Sequence, residues 1–332
     1  MRRAKQKNFQ GWDKIIIKND SGVEKEAIAP IIISATRRSD IPAWHSDWLM
    51  ERLRRGHLIS TQFQWQYVSF AKTRVIVFWT KNPQPMFKHL DELDHMGIGC
   101  YFNYTLTDYD QEGLELNLPT LQEKIHTFRE LSERIGKEKV VWRFDPLVLA
   151  DNIDRDKLIA KVGFIMENLA GHTEKMVFSF FNPSAHKKVI RNMSNAEIAV
   201  REFSNKDKAF VAKHIAELAN NHGIHVAACA ETIDHSLYGI HQNKCIDDAL
   251  MRQLFGQDIE LISFLDQIDG QKHKGQRKLC GCIPSFDVGI YNTCKNGCVY
   301  CYANTSPNAV ANNFNRLSMD GDTLLTPVIQ KY

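Results

Sequence analysis

The chain has 332 residues, of which 43% are hydrophobic and 24% are charged, with a formal net charge of +3. This composition is typical of a soluble globular protein with room for one large α/β barrel or two ordinary domains, and the small net charge gives no global basic field for nucleic acid or membranes. No segment is apolar for long enough to span a bilayer, and the N-terminus lacks the apolar region of a secretory signal, so we expect a cytoplasmic protein.

The N-terminal region is polar and irregular and ends at Pro30, with a turn pattern at Asp20, Ser21 and Gly22. We predict an N-terminal extension or small hairpin over residues 1–30. The chain beyond it is predicted to form one α/β body over residues 31–318, followed by a tail over residues 319–332.

Short apolar runs alternate with longer segments of helical spacing from Ile31 onward, which indicates βαβ units and a mainly parallel sheet. The predicted strands are Ile31–Ser34, Arg74–Thr80, Gly99–Leu106, Val140–Phe144, Met176–Phe180, Ile224–Cys229 and Asp287–Tyr291. The predicted helices are Ser46–Arg55, Pro119–Ile135, Asp154–Leu169, Asn195–His222 and Ile246–Phe255.

Polar or turn residues follow almost every predicted strand, in the runs ATRRSD, TKNP, TLTDYD, RFDP, FNPS and CAETID. In a (β/α) barrel these loops lie at the carboxyl face of the strands, where active sites are built. We therefore expect the functional side chains to come from these strand ends.

Five of the eight cysteines fall between Cys280 and Cys301, and the segment DVGIYNTCKNGCVYCYAN has the spacing C-x3-C-x2-C. Cytoplasmic thiols stay reduced, so this crowding indicates a metal or cluster rather than disulfides. We predict a cluster loop over residues 280–304, in which three thiolates bind three corners of a [4Fe–4S] cluster and leave the fourth iron open. The predicted ligands are Cys294, Cys298 and Cys301.

These three cysteines, with Tyr300 before the last of them, resemble the cluster loop of the radical S-adenosylmethionine superfamily. The run CVYCYAN is similar to the spore photoproduct lyase-like branch, as are VVWRFDP, the strand ending in TKNP and the segment Tyr101–Pro119. The resemblance implies a (β/α) barrel, full or partial, whose cluster cleaves S-adenosylmethionine reductively to a 5′-deoxyadenosyl radical. It also implies a small reductase or a flavodoxin- or ferredoxin-type electron donor and, if it extends to the substrate, a nucleobase or nucleic acid.

The order of elements departs from that superfamily, in which the cluster loop normally follows the first strand. Here about six predicted strands precede it. Because the first and last strands of a barrel are neighbours, we expect Asp287–Tyr291 to pair beside Ile31–Ser34 and to close the ring as a circular permutation. From about Ile31 the chain also resembles an uncharacterised bacterial family of unknown function, through ISATRRSDIPAW, VFWTKNP, CAETID, HQNKCID and CGC…CKNGCVYCYAN.

Binding S-adenosylmethionine requires a cation or helix N-terminus for the carboxylate and hydrogen-bonding side chains for the ribose. In the superfamily the strand after the cluster strand often supports the amino group, and the permuted order gives this role to the segment Ser34–Asp40, although it lacks the Gly-Gly-Glu pattern. An ion pair with Asp145 is the alternative for Arg143. The predicted cofactor-binding residues are Arg37, Arg38, Asp40, Thr80, Lys81, Asn103, Arg143 and Tyr300.

Four further cysteines, Cys229, Cys245, Cys280 and Cys282, make a complete four-thiolate set for an auxiliary [4Fe–4S] cluster. In the alternative, Cys229 is a small buried side chain and Cys245 an ordinary loop thiol.

Two other functions remain open. One is a non-enzymatic iron–sulfur protein for electron transfer or redox sensing, in which Cys280 or Cys282 completes the first cluster. The other is a zinc-stabilised nucleic-acid-binding module, although structural zinc sites usually show two separated cysteine pairs. The sequence specifies neither a substrate nor a catalytic residue.

Overall fold

The computed structural model describes residues 9–61, 65–183 and 187–326 of the chain. The predicted N-terminal extension and C-terminal tail reach beyond these ranges, so residues 1–8 and 327–332 lie outside the described residues.

Strands and helices alternate along most of the chain. The strands are β1 (Asp13–Lys18), β2 (Glu24–Ala29), β3 (Ile32–Ala35), β4 (His57–Ser60), β5 (Gln66–Ser69), β6 (Val75–Thr80), β7 (Gly99–Thr105), β8 (Val140–Leu147), β9 (Leu149–Ala150), β10 (Lys175–Phe180), β11 (Val200–Arg201), β12 (His225–Ala228), β13 (His241–Gln242) and β14 (Phe286–Asp287). The α-helices are α1 (Ile41–Trp44), α2 (Ser46–Arg55), α3 (Leu90–His95), α4 (Leu121–Ile135), α5 (Arg155–Leu169), α6 (Lys187–Asn195), α7 (Asn205–His222), α8 (Asp248–Phe255), α9 (Ile259–Gln267) and α10 (Pro307–Phe314). Short 3₁₀ helices span Gln84–His89, Lys137–Lys139 and Ser236–Tyr238. Across the described ranges, none of the helices has the length and apolar character that crossing a membrane requires.

Eight strands form one parallel sheet in the order β13-β12-β10-β8-β7-β6-β3-β14. Successive side chains along a strand point to opposite faces, and in this sheet both faces are apolar. Ile32 and Ile33 of β3 are both fully buried, as are Val77 and Phe78 of β6. Continuous apolar runs of this kind are typical of a parallel sheet that is covered on both sides.

Two apolar cores lie on the two faces of this sheet. On one face, which we call the outer face, Phe78 and Phe102 pack with Phe128 of α4, Ile165 of α5 and Ile215 of α7. On the other, the inner face, Val77 and Tyr101 pack with Met251 of α8 and Leu261 of α9. The segment that contains α8 and α9 therefore covers the inner face of the sheet.

Capping residues set the limits of the long helices. Thr120 and Glu123 form a reciprocal capping box at the start of α4, and Gly56 ends α2 in the left-handed conformation with φ +77°. A second capping box, between Ser204 and Asp207, starts α7. The predicted single helix Asn195–His222 is therefore wrong at its start, because the chain leaves α6, passes through β11 and enters a new helix only after the Ser204 cap.

The predicted N-terminal hairpin is present. β1 pairs antiparallel with β2, and the turn is closed by a 2.8 Å hydrogen bond from the Gly22 amide to the Asn19 carbonyl. β2 also pairs with β5, giving a second sheet in the order β1-β2-β5-β4. The hairpin is thus part of a four-stranded sheet with β4 and β5, which the sequence patterns did not predict as strands.

In the large sheet, the strand that comes last in the chain (β14) pairs with the strand that comes first (β3), as predicted from the permuted order. β14 runs parallel to β3, with Phe286 opposite Ile33 and Asp287 opposite Ser34. The pairing is shorter than the predicted strand Asp287–Tyr291, because the chain leaves the sheet after Asp287. Within the described ranges β13 and β14 remain the two edges of the sheet, and no strand pairing joins them into a closed ring.

The outer-face core gives a direct test of this packing. Phe128 of α4 is fully buried and stacks on Tyr104 with ring centroids 5.1 Å apart. We expect Phe128→Ala to lower the free energy of unfolding by about 3–5 kcal/mol through the lost apolar burial and the cavity left behind. Denaturant unfolding followed by circular dichroism measures the change.

Phe164 on α5 is the matched control, because its side chain is 44% exposed. Phe164→Ala should cost less than about 1 kcal/mol. Equal losses in the two variants would contradict the assignment of α4 to the core.

Candidate metal centre

The three triad cysteines (Cys294, Cys298 and Cys301) lie in the triad loop (residues 288–304), which leaves the sheet at the carboxyl end of β14. The Asp287 carboxylate fastens this strand end to the segment after β3. It accepts hydrogen bonds from the Ser34 hydroxyl (3.2 Å), the Arg37 amide (3.3 Å) and the Thr36 hydroxyl. The start of the triad loop is therefore tied to the carboxyl end of the neighbouring strand.

Buried polar groups hold the middle of the triad loop against α1. The Thr293 carbonyl lies 2.7 Å from His45 Nε2. The Asn296 side chain accepts a 2.7 Å hydrogen bond from Trp44 Nε1 and donates a 2.8 Å bond to the Asp40 carboxylate. His45, Asp40 and Asn296 are buried, so these contacts hold the loop mainly through side chains shielded from water.

The far side of the triad loop pairs with the segment between β7 and α4. The Val299 amide donates to the Leu114 carbonyl at 2.9 Å, and Glu115 and Cys298 form an isolated antiparallel bridge. Gly297 adopts φ +69°, and a Cβ there would lie 2.8 Å from Asn117 Nδ2. Glycine at this position thus allows the left-handed turn and the close approach of the two segments.

The triad thiols are half-buried and close enough to influence one another's ionisation. Burial, with added repulsion from Asp40 and Cys298, raises the pKa of Cys294 well above its usual value. Burial also raises the pKa of Cys298, although the Lys81 ammonium opposes the shift. Both thiols are therefore protonated in the free protein, and a metal or cluster that binds them must displace those protons.

The spacing of the thiols bears on the kind of metal they can hold. Four thiolates on one tetrahedral zinc ion lie about 3.8 Å apart, since each Zn–S bond is about 2.3 Å long. Among the described residues, three His, Cys, Asp or Glu ligand atoms come within 4.8 Å of one another only at Asp20, His57 and Asp322. The triad thiols are thus more widely spread than the ligands of a single zinc ion, as the separate corners of a cluster require.

The group of Asp20, His57 and Asp322 lies outside the triad loop and is an ion-pair cluster. Arg52 Nη1 is 2.9 Å and Arg55 Nη1 is 3.2 Å from the Asp20 carboxylate. The positive charges that this carboxylate needs are therefore already supplied by the two arginines.

A buried ionic network lies beneath the triad loop. Glu115 is buried, and its carboxylate lies 2.6 Å from Lys81 Nζ and 3.6 Å from Lys124 Nζ. The Thr107 hydroxyl (2.7 Å) and the Tyr300 hydroxyl donate to it. Burial alone would raise the pKa of Glu115, but the two ammonium groups and the Tyr300 hydrogen bond lower it to about 2.

The predicted cofactor-binding residues nearest the triad loop are engaged in its support. The Asp40 carboxylate caps α1 through the Ala43 amide (3.2 Å) and also accepts from the Lys81 amide (2.8 Å). The Thr80 hydroxyl accepts from the Asn82 amide at 2.9 Å. Two further predicted residues, Lys81 and Tyr300, contact the Glu115 carboxylate beneath the loop.

Arg38 reaches from the same region to the start of the triad loop. Its Nη1 lies 3.4 Å from the Asp287 carboxylate, and its guanidinium stacks 5.4 Å from the Tyr291 ring. Arg38 therefore contacts both ends of the turn that begins the loop.

Three predicted residues point to the inner face of the sheet instead. Asn103 Nδ2 donates to the Cys245 carbonyl at 3.3 Å, and Arg143 Nη1 donates to Cys245 Sγ at 3.0 Å. Arg143 also forms the ion pair with Asp145 that the sequence left open. The Arg37 guanidinium stacks on Trp79, with Cζ 5.0 Å from the ring centroid.

The remaining four cysteines of the predicted auxiliary set, here called the buried cysteine group, are brought together on the inner face. All four are buried, and Cys229 Sγ lies 3.9 Å from Cys245 Sγ. Cys282 Sγ accepts a hydrogen bond from the Cys245 amide at 3.2 Å, and Cys280 packs in the same cluster. Both cysteines are therefore held with Cys245 on the inner face.

Sequence patterns did not single out three of the residues that build the site. Glu115 stands in the run LELN, where a lone acidic residue between leucines gives no indication of its two lysine partners. Asn296 is one polar residue among several in the triad loop, and Asp287 was predicted as a strand residue. No sequence pattern could have identified Glu115, because its partners Lys81 and Lys124 lie elsewhere in the chain.

Comparisons with known proteins identify a family but no activity. The family model described as "Domain of unknown function (DUF1848)" matches residues 32–303, which is most of the chain. No curated protein matches. One solved structure, of the TTHB071 protein from Thermus thermophilus soaked with ZnCl2, is 14% identical over 56% of this chain and 63% of that chain, with a TM-score of 0.25. This chain thus spans less than two thirds of that protein, and so low a TM-score supports no argument about fold or function.

The ionic network gives a prediction for Glu115. Glu115→Gln should lower the free energy of unfolding by about 3–5 kcal/mol at pH 7, because it leaves two buried lysines without their shared counter-charge. Glu130→Gln is the matched control, since its pair with Arg134 (2.6 Å) lies on an exposed helix surface and should contribute less than about 1 kcal/mol.

The difference in stability between wild type and Glu115→Gln should depend on pH. The pKa of Glu115 is lowered in the folded state from 4.5 to about 2, so its stabilising contribution is complete above pH 4.5 and is lost as the pH falls toward 2. The stability gap between wild type and Glu115→Gln should therefore be constant from pH 8 to about pH 5 and should narrow below that. A gap that widened on acidification would contradict the assigned charges.

Proposed function

The chain belongs to the DUF1848 family, and we propose that it is a radical S-adenosylmethionine enzyme with a [4Fe–4S] cluster on the triad cysteines. The observation that carries the proposal is the parallel pairing of β14 with β3, which brings the triad loop to the carboxyl edge of the sheet. In parallel α/β sheets ligand sites lie at this edge. The inferred barrel, full or partial, is then a circular permutation of the superfamily's usual order.

The chemistry of the donor set fits such a cluster. Three thiols on one loop supply three ligands, and Cys280 and Cys282 are engaged with Cys245 rather than with the triad. One iron would therefore be left open for the amino and carboxylate groups of S-adenosylmethionine. When bound, a cluster of this kind supplies the electron that breaks S-adenosylmethionine into methionine and a 5′-deoxyadenosyl radical.

The chain's own residues have three roles in this proposal. Lys81 places a buried positive charge beside Cys298 and so offsets the negative charge of bound thiolates. Glu115 holds that lysine and Tyr300 in place beneath the loop. Arg37, whose buried Nη2 makes no hydrogen bond within the described residues, offers a donor for the carboxylate of the cofactor, whereas Asn103 and Arg143 are engaged with Cys245.

The substrate proposal rests on the resemblance to the spore photoproduct lyase-like branch. It would be a nucleobase, presented alone or in nucleic acid. The net charge of +3 favours a small substrate over a long nucleic-acid contact, because extended phosphate binding requires a basic surface. The electron would come from a small reductase or from a flavodoxin- or ferredoxin-type donor in the cytoplasm.

Two rival functions make different use of the same cysteines. An electron carrier needs a fourth protein ligand on the triad cluster, and the two cysteines expected to supply it contact Cys245 instead. A zinc-stabilised module needs thiols about 3.8 Å apart, which is closer than the triad thiols lie. Both observations favour the enzyme.

The enzyme is tested by anaerobic reconstitution with iron and sulfide, reduction, and assay for 5′-deoxyadenosine. Wild type should form 5′-deoxyadenosine from S-adenosylmethionine, and its electron paramagnetic resonance signal should change when S-adenosylmethionine binds the open iron. Cys298→Ala should reduce product formation to background, because the cluster loses one of its three ligands.

Cys100→Ala is the control, since Cys100 lies on β7 outside both cysteine groups, and it should retain wild-type turnover. Reconstituted wild type that binds iron but forms no 5′-deoxyadenosine, even with cell extract, would favour the electron carrier. Colourless protein that takes up zinc and no iron would favour the zinc-stabilised module.

A further inference from the structure

The buried cysteine group forms a continuous chain of sulfur contacts on the inner face of the sheet. Cys229 Sγ lies 3.9 Å from Cys245 Sγ, the Cys245 amide donates to Cys282 Sγ at 3.2 Å, and Cys280 packs in the same cluster. The four residues come from two stretches of the chain, the ends of β12 and β13 and the segment before β14. Tertiary folding, and not sequence spacing, therefore brings these thiols together.

Donor groups surround the sulfur atoms. Cys245 Sγ accepts from Arg143 Nη1 at 3.0 Å and from Asn243 Nδ2 at 3.2 Å. Cys282 Sγ accepts from the Cys245 amide at 3.2 Å and the Ile246 amide at 3.4 Å. Hydrogen bonds to sulfur of this kind stabilise thiolates and set the potentials of iron–sulfur clusters.

Positive charge is concentrated at the same place. Arg277 Nη2 lies 3.6 Å from Cys229 Sγ, and Arg143 is buried against Cys245. The Arg37 guanidinium stacks on Trp79, which packs against the cluster that contains these cysteines, and its buried Nη2 makes no hydrogen bond within the described residues. The three guanidinium groups would offset part of the negative charge of four bound thiolates.

We propose that Cys229, Cys245, Cys280 and Cys282 bind a second, fully protein-ligated [4Fe–4S] cluster. A single zinc ion fits less well, because zinc sites use C-x2–4-C pairs, whereas these cysteines include only a C-x-C pair and two distant residues. Their thiols also do not gather in threes within 4.8 Å among the described residues. With four thiolate ligands, this cluster has no open iron and does not bind S-adenosylmethionine.

Arg37 connects the surroundings of the two cysteine groups. Its guanidinium stacks on Trp79, which packs against the cluster that contains the buried cysteine group, while its carbonyl accepts a 2.7 Å hydrogen bond from Tyr302, the neighbour of Cys301.

The test uses full-length protein reconstituted anaerobically with ferrous iron, sulfide and an equal amount of zinc. Wild type should contain about eight irons per chain, which corresponds to two [4Fe–4S] clusters. The variant Cys294→Ala/Cys298→Ala/Cys301→Ala leaves the buried group intact and should retain about four irons and four sulfides. Cys245→Ala/Cys282→Ala should also contain about four irons, and Cys100→Ala should match wild type.

Each result decides between the two sites. If the triad-less protein binds no iron, or binds one zinc ion instead of iron, the second cluster is refuted. The proposed enzyme still stands in that case if wild type holds about four irons. Conversely, four irons in both wild type and the triad-less protein would support the buried cluster and refute the triad cluster. Because the triad-less variant alters only half-buried loop residues, its folding, followed by circular dichroism, does not depend on the group under test.

Discussion

The arrangement of both cysteine groups depends on the pairing of β14 with β3. Only two residue pairs, Phe286 with Ile33 and Asp287 with Ser34, join these strands. Because the pairing is short, the Asp287 carboxylate strengthens the junction by accepting hydrogen bonds from the end of β3 and the residues after it. With it the triad loop begins at the strand ends, where contacts with α1 and with the segment before α4 then hold it.

Charge compensation differs between the two groups in a way that matches their exposure. The half-buried triad lies near the buried Lys81 ammonium, whose charge is shared with Glu115, and near Lys188, which donates to the Tyr302 carbonyl at 2.9 Å. The fully buried group has arginine guanidinium groups and amide donors in direct contact with its sulfur atoms. Because a buried charge costs more free energy than a half-exposed one, the deeper group depends more on such direct donors.

Much of the large sheet could be predicted because each strand is apolar on both faces and ends in polar residues. Six of the predicted strands overlap strands of the sheet almost fully, and helix α2 has the predicted bounds Ser46–Arg55. The prediction of one helix over Asn195–His222 was wrong because apolar spacing continues through a segment that Ser204 interrupts by capping a new helix. The strands β4 and β5 were missed because they complete a sheet begun by the hairpin, and that partnership is a tertiary contact.

The candidate sites also differ in whether local sequence spacing or tertiary contacts define them. Spacing alone identifies the triad, because its three cysteines lie within one loop. The set of Cys229, Cys245, Cys280 and Cys282 could be named from composition, but its contacts depend on parallel strands that place residues distant in sequence side by side. The role of Glu115 could not be predicted, because it depends on ion pairs with Lys81, which follows a strand, and with Lys124, which lies in a helix.

Exposure separates the roles that the two groups can have. A cluster that binds a small cofactor at an open iron must be reachable from solvent, and the triad thiols are half-buried in a loop at the edge of the sheet. The buried group is enclosed by the sheet on one side and by the segment containing α8 and α9 on the other, so no cofactor reaches it directly. Four thiolates, full burial and surrounding arginines suit a cluster that exchanges electrons rather than ligands.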